Sequence, residues 1–524
     1  MSSSHFPSPA PMSRRGFLAL GTGAATAAVL AACSQNPPGA RTLVEPGSEA
    51  VRAAENGRRA ADATVRDVTL RAEPTTLDLG GVQVRSWAFG GKLPGQEIRL
   101  RRGEVLRADI TNSLPAPTTV HWHGIALRND MDGVPHVTQS AIDPGGTFRY
   151  EFAVPDAGTY FFHPHVGVQL DRGLYAPLII EDPEDGKDYD LEAVVVLDDW
   201  LDGVDGRDPD RELEQLRAKG MAGMDMGGAT SSGGAHGGMD MGGATTTMAM
   251  PSDPNAPLGE DAGDVTYPHY LINGRIGTDP VTFAGRPRQR MRLRIINAAS
   301  DTAFRFAVGG HQLRVTHSDG FPVQPQSASN LLISMGERYD VIVDLADGVF
   351  PVVAVPEGKT GPQGFALIRT GGGTPPPRDV RPAELAAVPV TAEVLTAAEA
   401  VRLPARKPDK THDVTLEVDD KKYVWTINGK AFPDHAPLDV SEGQRVRLRF
   451  INKTMMFHPM HLHGHTFQVV TPAGNGPRKD TSIVLANKTL EVDFDTDNPG
   501  QWMVHCHNIY HGEAGMMAVV SYVS

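Results

Sequence analysis

From about Thr64 onward the apolar residues come in short runs, not along one face of a helix. Val194-Val195-Val196-Leu197, Tyr339-Asp340-Val341-Ile342-Val343 and Leu490-Glu491-Val492-Asp493-Phe494 are β-branched or alternating, with Gly and Pro between such runs. Alternation with period two fits a strand with one buried face, and frequent turn residues keep strands short. The pattern predicts an all-β chain built of sandwich domains. A weak internal repeat sets their number at three. Leu106-Arg107-Ala108-Asp109-Ile110-Thr111-Asn112, Arg292-Leu293-Arg294-Ile295-Ile296-Asn297 and Arg447-Leu448-Arg449-Phe450-Ile451-Asn452 are basic, alternating segments that each end in Asn. Ile272-Asn273-Gly274 and Ile427-Asn428-Gly429 stand upstream of the second and third copies.

On this reading the domains are residues 64–186, 187–370 and 413–524, with a linker at 371–412 that opens on Gly371-Gly372-Gly373-Thr374-Pro375-Pro376-Pro377. Residues 219–263 read as a low-complexity insert in the second domain. Residues 1–33 read as an export signal and 34–63 as a tether. Ser13-Arg14-Arg15-Gly16-Phe17-Leu18 is a twin-arginine pattern, and the alanine-rich run after it is too short for a membrane span. Leu30-Ala31-Ala32-Cys33 resembles a lipoprotein cleavage box, so a lipid on Cys33 is the one membrane attachment expected. Export by the twin-arginine route to the periplasm or the outer face of the cell membrane follows. A net charge of −14 argues against nucleic acid as a partner.

Chemistry enters with four histidine clusters: His121-Trp122-His123, His163-Pro164-His165, His458-Pro459-Met460-His461-Leu462-His463, and His505-Cys506-His507 followed by His511 and Met516. They follow the first and third repeats and skip the second, so the middle domain reads as a spacer. Imidazole suits copper and zinc, and Cys with two His and a distant Met suits an electron-transfer copper. In a strand His505 and His507 point one way and Cys506 the other, so one strand can serve two metal centres. Six to eight imidazoles at one interface exceed the usual four ligands of zinc.

These four motifs, in order, resemble the copper-binding signatures of multicopper oxidases, the group of laccases and bacterial cuprous oxidases. The resemblance covers the chain from about residue 64 to its end. It implies three consecutive cupredoxin-like Greek-key β-sandwich domains and four copper ions. His458, Cys506 and His511 would bind a type 1 copper with Met516 axial, and His121 and His461 a type 2 copper. His123, His163, His165, His463, His505 and His507 would hold a type 3 pair. Asp132 matches an acidic position that relays protons, and Glu513 is a second candidate donor. The implied reaction takes single electrons from a substrate and reduces dioxygen to water. His269, His311, His317, His412 and His435 lack paired spacing and read as structural or surface groups, and the resemblance leaves His465, two after His463, unliganded.

Met221, Met224, Met226, Met239, Met241, Met248 and Met250 surround His236 among Gly, Thr, Ser and Asp, with Gly223–Thr230 repeated at Gly238–Thr245. Thioethers bind Cu(I), so extra Cu(I) is expected there. The leading expectation is a Cu(I) oxidase serving copper tolerance, with phenols as further substrates. A laccase for phenols or aromatic amines, and a copper-buffering protein, are the alternatives.

Overall fold

The computed structural model describes residues 42–182, 188–220, 256–259 and 261–524. The chain is nearly all sheet, in six sheets that fall into three consecutive pairs along the sequence. The first pair uses strands between Val65 and Glu181, the second between Leu191 and Arg369, and the third between Lys410 and Tyr522. The repeated segments are the strands Val105–Asn112, Arg290–Asn297 and Arg445–Asn452. Each lies parallel to the opening strand of its sandwich on one side and antiparallel to a later strand on the other.

The terminal Asn of each copy has one structural task. Asn112 accepts from the Leu114 N–H and donates to the Ala116 and Ile142 carbonyls. Asn297 accepts from Ala299 and donates to Thr302 and Ile333. Asn452 accepts from Thr454 and donates to Met456, Val484 and Leu485. A buried amide satisfying three or four main-chain groups pins the turn that leaves the strand. Ile-Asn-Gly forms the matching hairpins, with Asn273 and Gly274, and Asn428 and Gly429, all at positive φ.

Three parts of the domain reading need correction. The segment read as a tether contains a helix, Glu49–Arg58, capped by Ser48; its buried Glu55 accepts the Ala153 N–H at 2.7 Å. The last sandwich opens with strand Lys410–Asp419, which starts inside the linker segment. That segment also carries short 3-10 turns, one of them packed on strand Phe304–Val308. The stretch read as low-complexity up to Gly263 is ordinary structure at its end, with Leu258 and Ala262 buried. Residues 1–41 and all seven methionines of the repeat segment lie outside the described residues. Among the described residues no helix is long and apolar enough to cross a membrane.

Candidate metal centres

Two antiparallel strand pairs place the histidines. In the first sandwich His121 lies opposite His163, and His123 opposite Phe161. In the last, His461 lies opposite His505, and Met460 opposite Cys506. Directly paired residues share a sheet face, as do residues two apart. His461 and His505 therefore face one way, and Cys506 faces the other with Met460 and His458.

On the first face eight imidazoles meet: His121, His123, His163, His165, His461, His463, His505 and His507, with ring centroids 3.8–6.0 Å apart among neighbours. His121 and His461 bring their Nε2 atoms to 3.4 Å. His463 and His505 do so at 3.0 Å, and His165 offers a third nitrogen to that group. His123, His163 and His507 pack ring to ring. On the reverse face Cys506 Sγ lies 3.6 Å from His458 Nδ1 and 3.5 Å from His511 Nδ1. Met516 is fully buried beside them: its carbonyl accepts the Cys506 N–H and its own N–H donates to the His511 carbonyl.

The outer nitrogens are tied down. His163 Nδ1 donates to the Pro164 carbonyl, His505 Nδ1 to that of Cys506 and His461 Nδ1 to that of Asp480, each at 2.9 Å. Asp132 is buried and serves two rings: its carbonyl accepts from His121 Nδ1 and its Oδ2 from His463 Nδ1, both at 2.9 Å. Such contacts fix tautomer and ring orientation, leaving the opposite nitrogen free for a metal. Glu513, half-buried, lines a small cavity with His163, His165, His505 and His507. Loss of solvent pushes its carboxyl up to about 7 against the pull of Arg217.

Metal ions fit this donor set. His123 Nδ1, His163 Nε2 and both nitrogens of His507 are buried without a hydrogen-bond partner. Burial, then crowding by other imidazoles, holds His123, His163, His165, His463 and His507 well below the usual histidine range. Neutral rings with idle lone pairs are costly in a dry interior unless cations use them. At the sulfur site burial opposes charge on His511, yet its bond to Asp264 and the nearby Cys506 push it up to about 10. That site favours positive charge.

Two carboxylates escaped the sequence reading. Asp480 accepts from His123 Nε2 at 3.1 Å. Asp264 accepts from His511 Nε2 at 2.9 Å and from the Tyr423 hydroxyl at 2.6 Å. Nothing near Asp480 in the chain marks it, and Asp264 directly follows a glycine-rich stretch.

A cluster of imidazoles on one face of a strand, with a thiolate centre on its reverse, defines an oxidoreductase in which a mononuclear copper is wired to a polynuclear one. The chain belongs to the multicopper oxidase family: models described as multicopper oxidase match residues 72–185, 247–373 and 405–523. It is 46% identical to the multicopper oxidase MmcO of Mycobacterium tuberculosis (strain ATCC 25618 / H37Rv), over 98% of this chain and 97% of the relative. It is 28% identical to copper resistance protein A of Pseudomonas syringae pv. tomato, over 85% of this chain and 90% of that one. The crystal structure of a multi-copper oxidase from Pseudomonas thermotolerans covers 88% of this chain and 100% of its own, at 26% identity and a TM-score of 0.64. The three sandwiches are cupredoxin folds, and members of the family typically bind four coppers: one type 1, one type 2 and a type 3 pair.

Proposed function

We propose that this oxidase takes electrons from Cu(I), and also from phenols, at the Cys506 site and delivers them to dioxygen at the imidazole cluster, in the service of copper tolerance. His458, Cys506, His511 and Met516 would hold the type 1 copper, and His121 and His461 the type 2 copper. His165, His463 and His505 would hold one type 3 copper, and His123, His163 and His507 the other. The coppers, when bound, supply the one-electron chemistry and the four-electron reduction of dioxygen to water. The chain holds the rings in register, keeps water scarce and links the two sites through Cys506 and its neighbours. Asp132, bonded to His121 and His463, and Glu513, on the cavity beside His505 and His507, are the groups placed to carry protons to the cluster.

One observation carries the Cu(I) reading: the sulfur site has a rim of carboxylates, Asp264 and Asp261, beside His511, with an exposed methionine near it in sequence. Asp264 accepts from His511 Nε2, the main chain of Asp261 pairs with that of Met456, and Met455, three residues before His458, is 68% exposed. Carboxylates attract a metal cation and a thioether suits Cu(I). Both flanks of the methionine segment reach this rim. Gly220 packs against the carbonyls of Asp420 and Lys421, Arg217 donates to the Glu513 carbonyl at 2.6 Å, and Asp264 follows the other flank.

The test is dioxygen uptake with Cu(I) and with a phenol, before and after removing residues 221–250. Cu(I) turnover is expected to fall while phenol turnover persists; unchanged Cu(I) turnover overturns the role of the segment. A copper-replete protein that consumes no dioxygen with either reductant would favour the copper-buffering alternative. Export by the twin-arginine route and a lipid on Cys33 are part of the same proposal. Loss of membrane association in Cys33→Ala is the expected result, and retention would remove the anchor.

A further inference from the structure

Among the described residues the second sandwich supplies no imidazole to either centre, and its place in the sequence reads as that of a spacer. Yet its turn Ser334–Arg338 reaches the cluster. Gly336 sits at φ +81, and a Cβ there would lie 2.9 Å from Cδ2 of His507, 3.0 Å from its Cγ and 3.1 Å from Cε1 of His123. The first is closer than real Cβ atoms come and the other two are tight, and φ +81 disfavours other residues, so glycine lets this backbone press against both rings. Two residues on, Arg338 is fully buried and grips Asp480 with both arms of its guanidinium, at 2.7 and 2.6 Å. It also donates to the carbonyls of Thr159 in the first sandwich and Gly336 in its own.

Asp480 passes this grip to the rings. Its Oδ1 accepts from His123 Nε2, which leaves the unpartnered Nδ1 as that ring's only free nitrogen. The other tethered rings of the imidazole cluster are held the opposite way round, by Nδ1. The Asp480 carbonyl holds His461 Nδ1, and so aims His461 Nε2 at His121. One loop thus selects the free nitrogen for a ligand of each of two copper sites. The loop is itself locked to the second sandwich: Asp319 accepts from the N–H groups of Asp480, Thr481 and Arg338, while Lys479 bridges Asp319 and Glu337 at 3.2 Å each. Buried ion networks of this kind give up desolvation energy that apolar packing would not, so stability alone does not explain one.

We propose that Arg338 and Asp480, with Gly336, are positioning residues of the trinuclear centre, so that the middle domain helps set the geometry of the type 3 pair. This rests on the ligand assignment above, and the test separates the two. The holoenzyme and its Asp480→Asn, Arg338→Met, Arg338→Lys and Gly336→Ala variants are compared by copper content, the blue band of the mononuclear site, and the near-ultraviolet absorption and magnetic coupling of the type 3 pair. Copper retention is then followed against a chelator. The expected result is an intact blue band, with trinuclear copper lost about 10- to 100-fold more readily in Asp480→Asn and Arg338→Met, and partial recovery in Arg338→Lys. Gly336→Ala is expected to weaken the type 3 signature with the Arg338–Asp480 pair intact. Should Arg338→Met fail to fold, the near-isosteric Asp480→Asn decides. A normal type 3 signature and copper retention in that variant, or equal loss at both sites, overturns the proposal. Absence of a type 3 pair in the unaltered protein would instead overturn the ligand assignment.

Discussion

Asn452→Ala tests how the repeated strand feeds the mononuclear site. The buried side chain accepts from Thr454 N–H at 2.9 Å and donates to Met456 and Val484 carbonyls at 2.8 and 3.2 Å, which pins the turn leading to His458. Thr454 Oγ1, held by the same Asn, contacts His458 Nε2 at 2.8 Å. Three net hydrogen bonds at about 1 kcal/mol each place the loss at about 3 kcal/mol. In a sandwich of roughly a hundred residues that lowers the unfolding midpoint by about 14 °C. Asn112→Ala removes the same three kinds of bond from the first sandwich, whose turn leads toward His121 and away from the sulfur site. Calorimetry and the blue absorption are recorded together on both variants. Both midpoints should fall by similar amounts, with the blue band weakened in Asn452→Ala alone. Equal bleaching in Asn112→Ala, or no destabilisation in either, would refute the reasoning.

Cys506→Ser removes the only thiolate among the described residues, so copper content should drop by one per chain, with the blue colour gone and oxidation of both substrates abolished. Full copper content measured on the purified variant would show that the sulfur is no ligand. Asp340 is buried between Arg292 and Arg294 and accepts from Thr159 of the first sandwich at 2.7 Å. Burial alone would raise its carboxyl, but the two arginines hold it well below the usual carboxylate range. A depressed carboxylate stabilises fully at neutral pH, and that contribution declines as pH falls through and below about 4. Asp340→Asn should therefore cost about 3 kcal/mol at pH 7, because it removes the carboxylate that two buried guanidinium groups share, although Arg294 keeps Glu192. Denaturant titrations at pH 7 and in acid should show the gap narrowing; a gap that stays constant contradicts the assignment.

The candidate ligand clusters were legible because strand geometry is simple: two residues apart means one face, so His505 and His507 separate from Cys506 without any knowledge of the fold. The basic strands ending in Asn were legible as a repeat, although the reason for the Asn, a buried amide closing a turn, emerges only with Ala116, Met456 and Thr302 in place. What stayed hidden depends on contacts between distant segments. Arg338 and Asp480 meet across 142 residues, and His123 reaches Asp480 across 357. Gly336 gains meaning only when rings from the first and last sandwiches press on it. The helix Glu49–Arg58 escaped notice because it buries only Val51 and Glu55, too little to leave an apolar stripe. Glycine-rich composition around residue 260 masked Asp261 and Asp264, whose role depends on Met456 and His511.

Copper content and oxygen stoichiometry, determined on one copper-reconstituted preparation, bear most directly on the two-centre arrangement. Four coppers per chain, and one dioxygen consumed for every four electrons donated with no hydrogen peroxide released, is the expected result. Fewer than four coppers at saturation, or peroxide as the product, would contradict it.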